Sequence, residues 1–228
     1  MTLLEIAKKY PTSKNDHGFI KIYDKYFSNL KELKINILEI GVERGDSLRM
    51  WREYFTNATI CAIDLHDRKI SVNNAEILIG DQSDHFFLQN LVNKYGKFDI
   101  IIDDGSHQSK HIISSFNFLF NHLSDNGIYV VEDLQTSYLP RYGGSRFILN
   151  KKKSSMGFLK SLADSINYEH KDKPFFKKNY YDGKIKSINF YQNIAFIIKG
   201  ESINYFYNHI KKDTFSDKVK KIISFFYK

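Results

Sequence analysis

Cysteine is almost absent. Cys61 is the single one in 228 residues, which excludes an internal disulfide and any multi-cysteine zinc knot. Proline is scarce at three residues, and no repeat, low-complexity tract or Gly/Ser-rich linker divides the chain. Long apolar stretches are missing as well. The longest pure runs reach four to five residues, as in IAFII at 194–198, far below the roughly 20 needed to cross a bilayer. The opening MTLLEIAKKY mixes charges where a secretory signal needs continuous apolar residues. These gaps lead to the expectation of a cytoplasmic protein in a reducing compartment. What is plentiful points to a packed globule: 42% of residues are hydrophobic and 15% aromatic, too many for a disordered or collagen-like chain. One domain is expected over 1–228, long enough to bury roughly 70–75% of its unfolded surface.

Charge is unevenly spread. Lys and Arg number 34 against 26 Asp and Glu, a net of +8. Residues 1–150 hold 17 basic and 19 acidic side chains, whereas 151–228 hold 17 and 7. The strongly basic final third suits an anionic partner: nucleic acid, a membrane surface or a phosphorylated small molecule. The plainer reading is a lysine-rich solvated surface. The terminal stretch from Ser216 to Lys228 interleaves lysines with Val219, Ile222, Ile223, Phe225 and Phe226. Such a face lies on a membrane as a peripheral contact, or packs on the core or on a second copy in a homo-oligomer; the packing role is preferred.

The pattern along the chain has three parts: a helical N-terminal cover (1–34), an α/β core (35–199) and the basic amphipathic end (200–228). In the cover, Ile20, Tyr23, Phe27 and Leu30 recur at helical spacing, predicting a helix over 17–30. The core alternates strands at 35–40, 59–64, 75–79, 98–103 and 127–132 with helices at 47–55, 85–95 and 108–123. Runs such as DIII and IYVV, apolar on both faces, suit central parallel strands covered by helices. Segments 184–191 and 194–199, joined at Gln192-Asn193, predict a closing antiparallel hairpin. The expected fold is a mostly parallel, doubly wound α/β sheet of Rossmann-like type ending in that hairpin.

Ligands of open α/β sheets bind beyond the carboxyl ends of the strands. The first strand ends in Glu39-Ile40-Gly41-Val42-Glu43-Arg44-Gly45. The dinucleotide fingerprint would place a glycine where Glu43 stands, and that acid repels a pyrophosphate. A cationic ligand fits better, and S-adenosylmethionine carries a sulfonium and an ammonium. Asp64, closing the second strand, is placed to accept ribose hydroxyls, and Asp81 and Gln82 follow the third strand near an adenine edge. The fourth strand ends in Asp103-Asp104-Gly105-Ser106-His107 and the fifth in Glu132-Asp133. So many acids in one crevice repel one another unless a cation is bound. Oxygen donors without cysteine select Mg²⁺, Mn²⁺ or Ca²⁺ over zinc. His107 and His111 share i, i+4 spacing, but the general-base glutamate of the zinc-protease motif is missing. His107 shares a short loop with Asp104, and imidazole exchanges protons near neutrality.

With LEIGVERGDSLRMWREYF, GDQSD, FDIIIDDGSHQSKHIISSFNFLF, GIYVVEDLQTSY and SINFYQNIAFIIK in view, the chain resembles the metal-dependent macrolide-sugar O-methyltransferases of the mycinamicin and tylosin pathways. The likeness spans about 16–199. It implies a class I methyltransferase fold and S-adenosylmethionine with Mg²⁺ (or Mn²⁺) as cofactors. It implies metal ligands at Asp104, Glu132 and Asp133, a catalytic pair of His107 and Asp104, and donor-pocket residues at Glu39, Gly41, Asp64 and Asp103. Two departures from the family are expected: a shorter glycine loop, and no large N-terminal auxiliary domain ahead of the methyltransferase domain. The function so implied is methylation of a sugar hydroxyl, with the sugar nucleotide-linked or phosphorylated and destined for capsule or another surface polysaccharide. Lys177, Lys178 and Lys184 are expected to attract its negative charge, and the LPRYGGSR stretch (139–146), with a Gly143-Gly144 hinge, to act as a lid. Two alternatives remain: a nucleic-acid methyltransferase and a non-enzymatic membrane-surface protein. Against the first, DDGSH stands where amino-directed base methylases carry an Asn/Asp-Pro-Pro-aromatic run, so no nucleic-acid partner is expected.

Overall fold

The computed structural model describes residues 1–149, 151–168 and 177–201. The basic terminal stretch, Ser216 to Lys228, lies outside the described residues. Seven strands form one sheet: β1 (Asn36–Ile40), β2 (Thr59–Asp64), β3 (Ala75–Ile79), β4 (Phe98–Asp103), β5 (Leu123–Val131), β6 (Ile185–Tyr191) and β7 (Ile194–Lys199). Their order is β3-β2-β1-β4-β5-β7-β6. The first five run parallel, β7 runs antiparallel to β5, and β6, antiparallel to β7, runs with the first five. The chain reverses direction of travel between β3 and β4, so the carboxyl ends of β1 and β4 flank a crevice.

Strand alternation explains the two-sided core. Ile100, Ile102 and Val130 join Trp51, Tyr23 and Phe27 on one face. Ile101, Tyr129 and Val131 join Phe116, Leu119 and Leu91 on the other. The first face is covered by α1 (Leu3–Ala7), α3 (Ile20–Phe27) and α4 (Asp46–Tyr54), the second by α5 (His85–Tyr95), α6 (Ser109–Leu119) and α7 (Ser155–Ser161). With both faces buried, central strands read as continuous apolar runs.

Three expectations need correction. The helix over 108–123 stops at Leu119, passes into a 3-10 turn at Phe120–His122, and β5 then begins at Leu123 rather than 127. The polar LSDN segment extends the strand because its edge pairing starts early, Phe98 opposite Leu123, before the register shifts. The helix over 17–30 is confined to Ile20–Phe27 plus a 3-10 turn. It is preceded by α1 and by α2 (Ser13–Asp16), which are too short to show a periodic pattern. Asn15 fastens α2 to the end of α1, donating to the Ala7 and Tyr10 carbonyls at 2.9 and 3.0 Å. A further short helix, α8 (Ala163–Ile166), follows α7. Among the described residues no helix is long and apolar enough to cross a membrane.

Candidate active site

A cavity of about 550 Å³ opens beyond the carboxyl ends of β1 to β4, within the range of small-molecule sites. Gly41 makes its floor feasible. A Cβ there would stand 2.2 Å from the Asp104 carbonyl oxygen, and its φ of +96° is open only to glycine. Asp64 lines the wall, but both of its oxygens are engaged. One accepts from the Val42 N–H at 3.0 Å, the other from the His66 N–H at 2.9 Å, and Arg68 Nε reaches both at 3.2 Å. Burial alone would raise its pKa; the His66 and Val42 amides and Arg68 hold it below the ordinary value. Asp81 also lines the cavity and accepts from the Ser83 amide and hydroxyl.

Gln82 clamps the loop after β4. Its Nε2 donates to both Asp103 oxygens at 3.0 and 3.2 Å, and its Oε1 accepts from the Ser106 N–H at 2.9 Å. Asp103 is buried under this loop, held by Gln82 and Ser115 and raised in pKa by burial. It is not among the cavity-lining residues, and neither are Glu39 and Glu132. Gly41, Asp64, Asp81, Gln82, Asp104, His107 and Asp133 are.

Asp104, His107 and Asp133 each offer one ligand atom, all within 4.8 Å of one another. His107 Nε2 stands 3.5 Å from Asp133 Oδ2, and His17 Nδ1 3.7 Å from Asp133 Oδ1. His107 and Asp133 both sit at positive φ, 56° and 53°, a conformation costing on the order of 1–3 kcal/mol per residue and concentrated at functional sites. The Asp133 Oδ1 atom is buried without a hydrogen-bond partner among the described residues. One imidazole and two carboxylates, that of Asp133 carrying the unpartnered oxygen, fit a hard divalent cation such as Mg²⁺ or Mn²⁺. Glu132, expected as a third carboxylate ligand, stands outside this cluster, one of its oxygens bonded to Lys14 and Tyr23.

Lys14, on α2, supplies what sequence reasoning missed. Its side chain is 1% exposed, and its Nζ lies 2.7 Å from Asp104 Oδ2, 2.7 Å from Glu132 Oε1 and 3.6 Å from Glu39 Oε1. Tyr23 donates its hydroxyl to the same Glu132 oxygen, and Trp51 Nε1 donates to Glu39 Oε1 at 3.1 Å. Burial works against the ammonium, but Asp104, Glu132 and Glu39 outweigh it and keep Lys14 charged. The acid surplus at the strand ends was the only signal in the sequence, and it called for a counter-charge without naming one.

The stretch over 139–146 differs from a hinged lid. A Cβ on Gly144 would meet the Ser137 carbonyl oxygen at 2.0 Å, so this glycine serves close packing against the Leu134–Tyr138 turn. Tyr142 stands beside the catalytic candidate, its ring 6.4 Å from that of His107 and nearly edge-on. Lys178 and Lys184 lie over the rings of Tyr168 and Tyr180, and with Lys177 they are outside the cavity lining.

No protein-family model matches the chain, but known proteins do. Mycinamicin VI 2''-O-methyltransferase from Micromonospora griseorubida is 36% identical over 211 residues, 88% of this chain and 53% of that protein. A tetracenomycin-pathway enzyme of Streptomyces olivaceus, 8-demethyl-8-(2-methoxy-alpha-L-rhamnosyl)-tetracenomycin-C 3'-O-methyltransferase, is 34% identical over 195 residues, 82% of this chain and 50% of that one. A crystal structure of the MycE methyltransferase of mycinamycin biosynthesis, in complex with Mg and SAH, superposes with a TM-score of 0.87 at 33% identity over 97% of this chain and 60% of that one. The chain thus spans about half the length of the curated relatives it matches. Over the matched residues it is homologous to the macrolide-sugar O-methyltransferases and has their class I methyltransferase fold.

Proposed function

We propose that this chain transfers a methyl group from S-adenosylmethionine to a sugar hydroxyl, with a divalent ion held at Asp104, Asp133 and Glu132 and His107 as general base. The observation that carries the reading is the convergence of Asp104, His107 and Asp133 at the rim of the cavity formed by Gly41, Asp64, Asp81 and Gln82. In this division of labour the cavity takes the donor: Asp64 meets the ribose, Asp81 and Gln82 lie toward the adenine, and Glu39 and Asp103 support the floor from below. MycE, similar over most of this chain, has been crystallised with Mg and SAH, which supports the same pair of cofactors here.

A sugar hydroxyl is a poor nucleophile because its proton is tightly held. The donor supplies an electrophilic methyl group, and the dication, when bound, lowers the acceptor hydroxyl's pKa and fixes its direction. His107 accepts the proton at Nε2 or Nδ1, and Asp133, 3.5 Å from Nε2, steadies the imidazolium that results. The strained backbone at His107 and Asp133 fixes their side chains before substrate arrives. Holding the reactants in near-attack geometry contributes about 7–11 kcal/mol to barrier lowering in favourable cases.

The acceptor in this reading is anionic, a nucleotide-linked or phosphorylated sugar of surface-polysaccharide synthesis. The exposed Arg141 and Arg146 beyond Tyr142 support that charge preference. The relatives are named for antibiotic-linked sugars, so the test must include both classes. The protein is incubated with labelled donor, Mg²⁺ and a panel of nucleotide sugars, phosphorylated glycans and glycosylated macrolides, then analysed by mass spectrometry. Methyl gain on one class, lost in chelator and in Asp104→Asn, is the expected result. No transfer to any sugar, or full transfer in excess chelator, overturns the reading.

A further inference from the structure

The N-terminal segment forms one wall of the donor cavity: Pro11, Thr12, Ser13, Lys14 and His17 all face it. Little of that wall is anchored by apolar packing. In α2 only Lys14 is buried, and the apolar contacts of the cover belong to α1 and α3 on either side. A four-residue helix has too few hydrogen bonds to hold its own shape. The start of the wall is tied through the Pro11 carbonyl to Arg44 and through Lys9 and Tyr10 to Glu53. The α2 helix itself is held by Asn15, bonded back to α1, and by the Lys14 side chain, which reaches the strand ends.

There the ammonium meets residues 90 and 118 positions further along the chain, Asp104 and Glu132, at 2.7 Å each. Its bonds take one oxygen of each carboxylate and leave the other oxygen of each to further partners. Glu39 stands third around the ammonium, at 3.6 Å, so one lysine serves three carboxyl groups from three different strand ends. A lysine so arranged does more than solvate a surface. It bonds one oxygen of each of two carboxylates at the strand ends and so ties α2 to them.

We propose that Lys14 is a positioning residue, a latch that clamps the N-terminal wall of the cavity onto Asp104 and Glu132 and so closes the donor site on that side. The inference rests on the assignment of this cavity to S-adenosylmethionine. It concerns how the site is closed, which that assignment leaves open. If the latch is lost, residues 8–18 detach from the strand ends, and the donor loses a wall although Asp64, Asp81 and Gln82 are untouched.

Two variants of the full chain test this, Lys14→Gln and the double variant Lys14→Met with Glu132→Gln. The double variant removes the ammonium together with one of its two close partners, so fewer buried carboxyl groups lose their partner than in Lys14→Gln alone. S-adenosylhomocysteine affinity is measured by calorimetry in chelator, well below the melting temperature, and hydrogen exchange is followed over residues 8–18. A rise in Kd of about tenfold or more, with faster exchange confined to that segment, is expected in each variant that folds. A Kd within about threefold of the parent protein, or unchanged exchange at 8–18, overturns the latch. A merely structural lysine would lower the melting temperature and leave the affinity at low temperature intact, which also overturns it. Failure of the parent protein itself to bind S-adenosylhomocysteine would instead reject the donor assignment.

Discussion

His107 and Asp133 face each other across 3.5 Å, each held at positive φ on loops from adjacent strands. In the proposed reaction this pairing holds the imidazole for proton transfer, while the donor contacts fall to Asp64 and Gln82 in the same cavity. His107→Ala should therefore lower single-turnover methyl transfer by about 10²- to 10⁴-fold, the span of general-base contributions. Donor affinity, read by calorimetry with S-adenosylhomocysteine, should stay within about threefold. Parallel losses of rate and affinity would show that His107 builds the cavity rather than moving the proton.

The buried carboxylates give stability an unusual pH dependence. Burial, and then the charge of Asp104, push the Glu132 pKa up to about 8 from its ordinary 4.5, against the pull of Lys14 and Tyr23. Between those values the folded protein holds a proton that the unfolded chain has released. Stability is then greatest below about pH 4.5 as far as this group is concerned, and falls as pH rises towards 8. Glu132→Gln should flatten that decline by up to one proton's worth, about 1.4 kcal/mol per pH unit. Urea midpoints from pH 5 to 8, measured in chelator so that no cation holds the carboxylate ionised, check the slope; an unaltered slope would contradict the assignment.

Much of this site was legible because its residues lie at strand ends, and strands announce themselves. The boundaries of β2, β3, β4 and β7 and of α5 follow directly from TICAID, AEILI, FDIIID, IAFIIK and HFFLQNLVNKY. In β2, β4 and β7 the apolar run is also buried, whereas β3, at the sheet edge, is only partly covered. The motif acids fall where the topology must bring them. Lys14 shows the limit. Its partners are set by tertiary placement alone, and in the sequence it is one lysine among many, inside a helix too short to have a period. The division between acids that line the cavity and acids that lie beneath it was equally hidden. Asp103 and Asp104 are neighbours in sequence, but alternation along β4 sends one under the loop to Gln82 and the other to the rim.

Gly41 is a sharp test of the floor. Gly41→Ala would bring a methyl group to 2.2 Å from the Asp104 carbonyl oxygen at φ +96°, so either the β4 loop moves or the variant unfolds. Gly18→Ala is the control, with positive φ (+71°) but open space around the added carbon. We expect about 1 kcal/mol of destabilisation at Gly18, from backbone strain alone, and at least about twice that at Gly41, with loss of donor binding. Chemical denaturation of both variants measures the difference; equal costs would mean that the close approach to Asp104 has no energetic weight.

Tyr142 stands beside His107, ring centroids 6.4 Å apart, with Arg141 over its ring at 4.9 Å, and in the proposed reaction it contributes an aromatic face to the acceptor. An aromatic ring packs against the apolar face of a sugar and leaves its hydroxyls free for polar contacts. Tyr142→Ala should raise acceptor KM about tenfold while kcat at saturation and donor affinity change little, because the lost contact is made equally in ground and transition states. A fall in kcat with unchanged KM would instead place Tyr142 in the alignment of His107.

Lys199 separates stability from function. It closes β7, which runs antiparallel, so it lies at the edge of the sheet opposite the carboxyl ends that hold the cavity. Its buried Nζ donates to the carbonyls of Phe120, Asn121 and Leu123 at 3.2, 3.4 and 2.6 Å. The first two carbonyls belong to the 3-10 turn that follows α6, where helical donors run out, and the third to the first residue of β5. Burial lowers its pKa, with Asp125 partly opposing, yet the three acceptors still need a donor. Lys199→Met keeps the side-chain volume and strands these carbonyls in an apolar setting, at a cost of about 2–3 kcal/mol. The expected signature is a lower denaturation midpoint with donor affinity unchanged below the transition. A variant as stable as the parent would mean that water satisfies these carbonyls once the ammonium is gone.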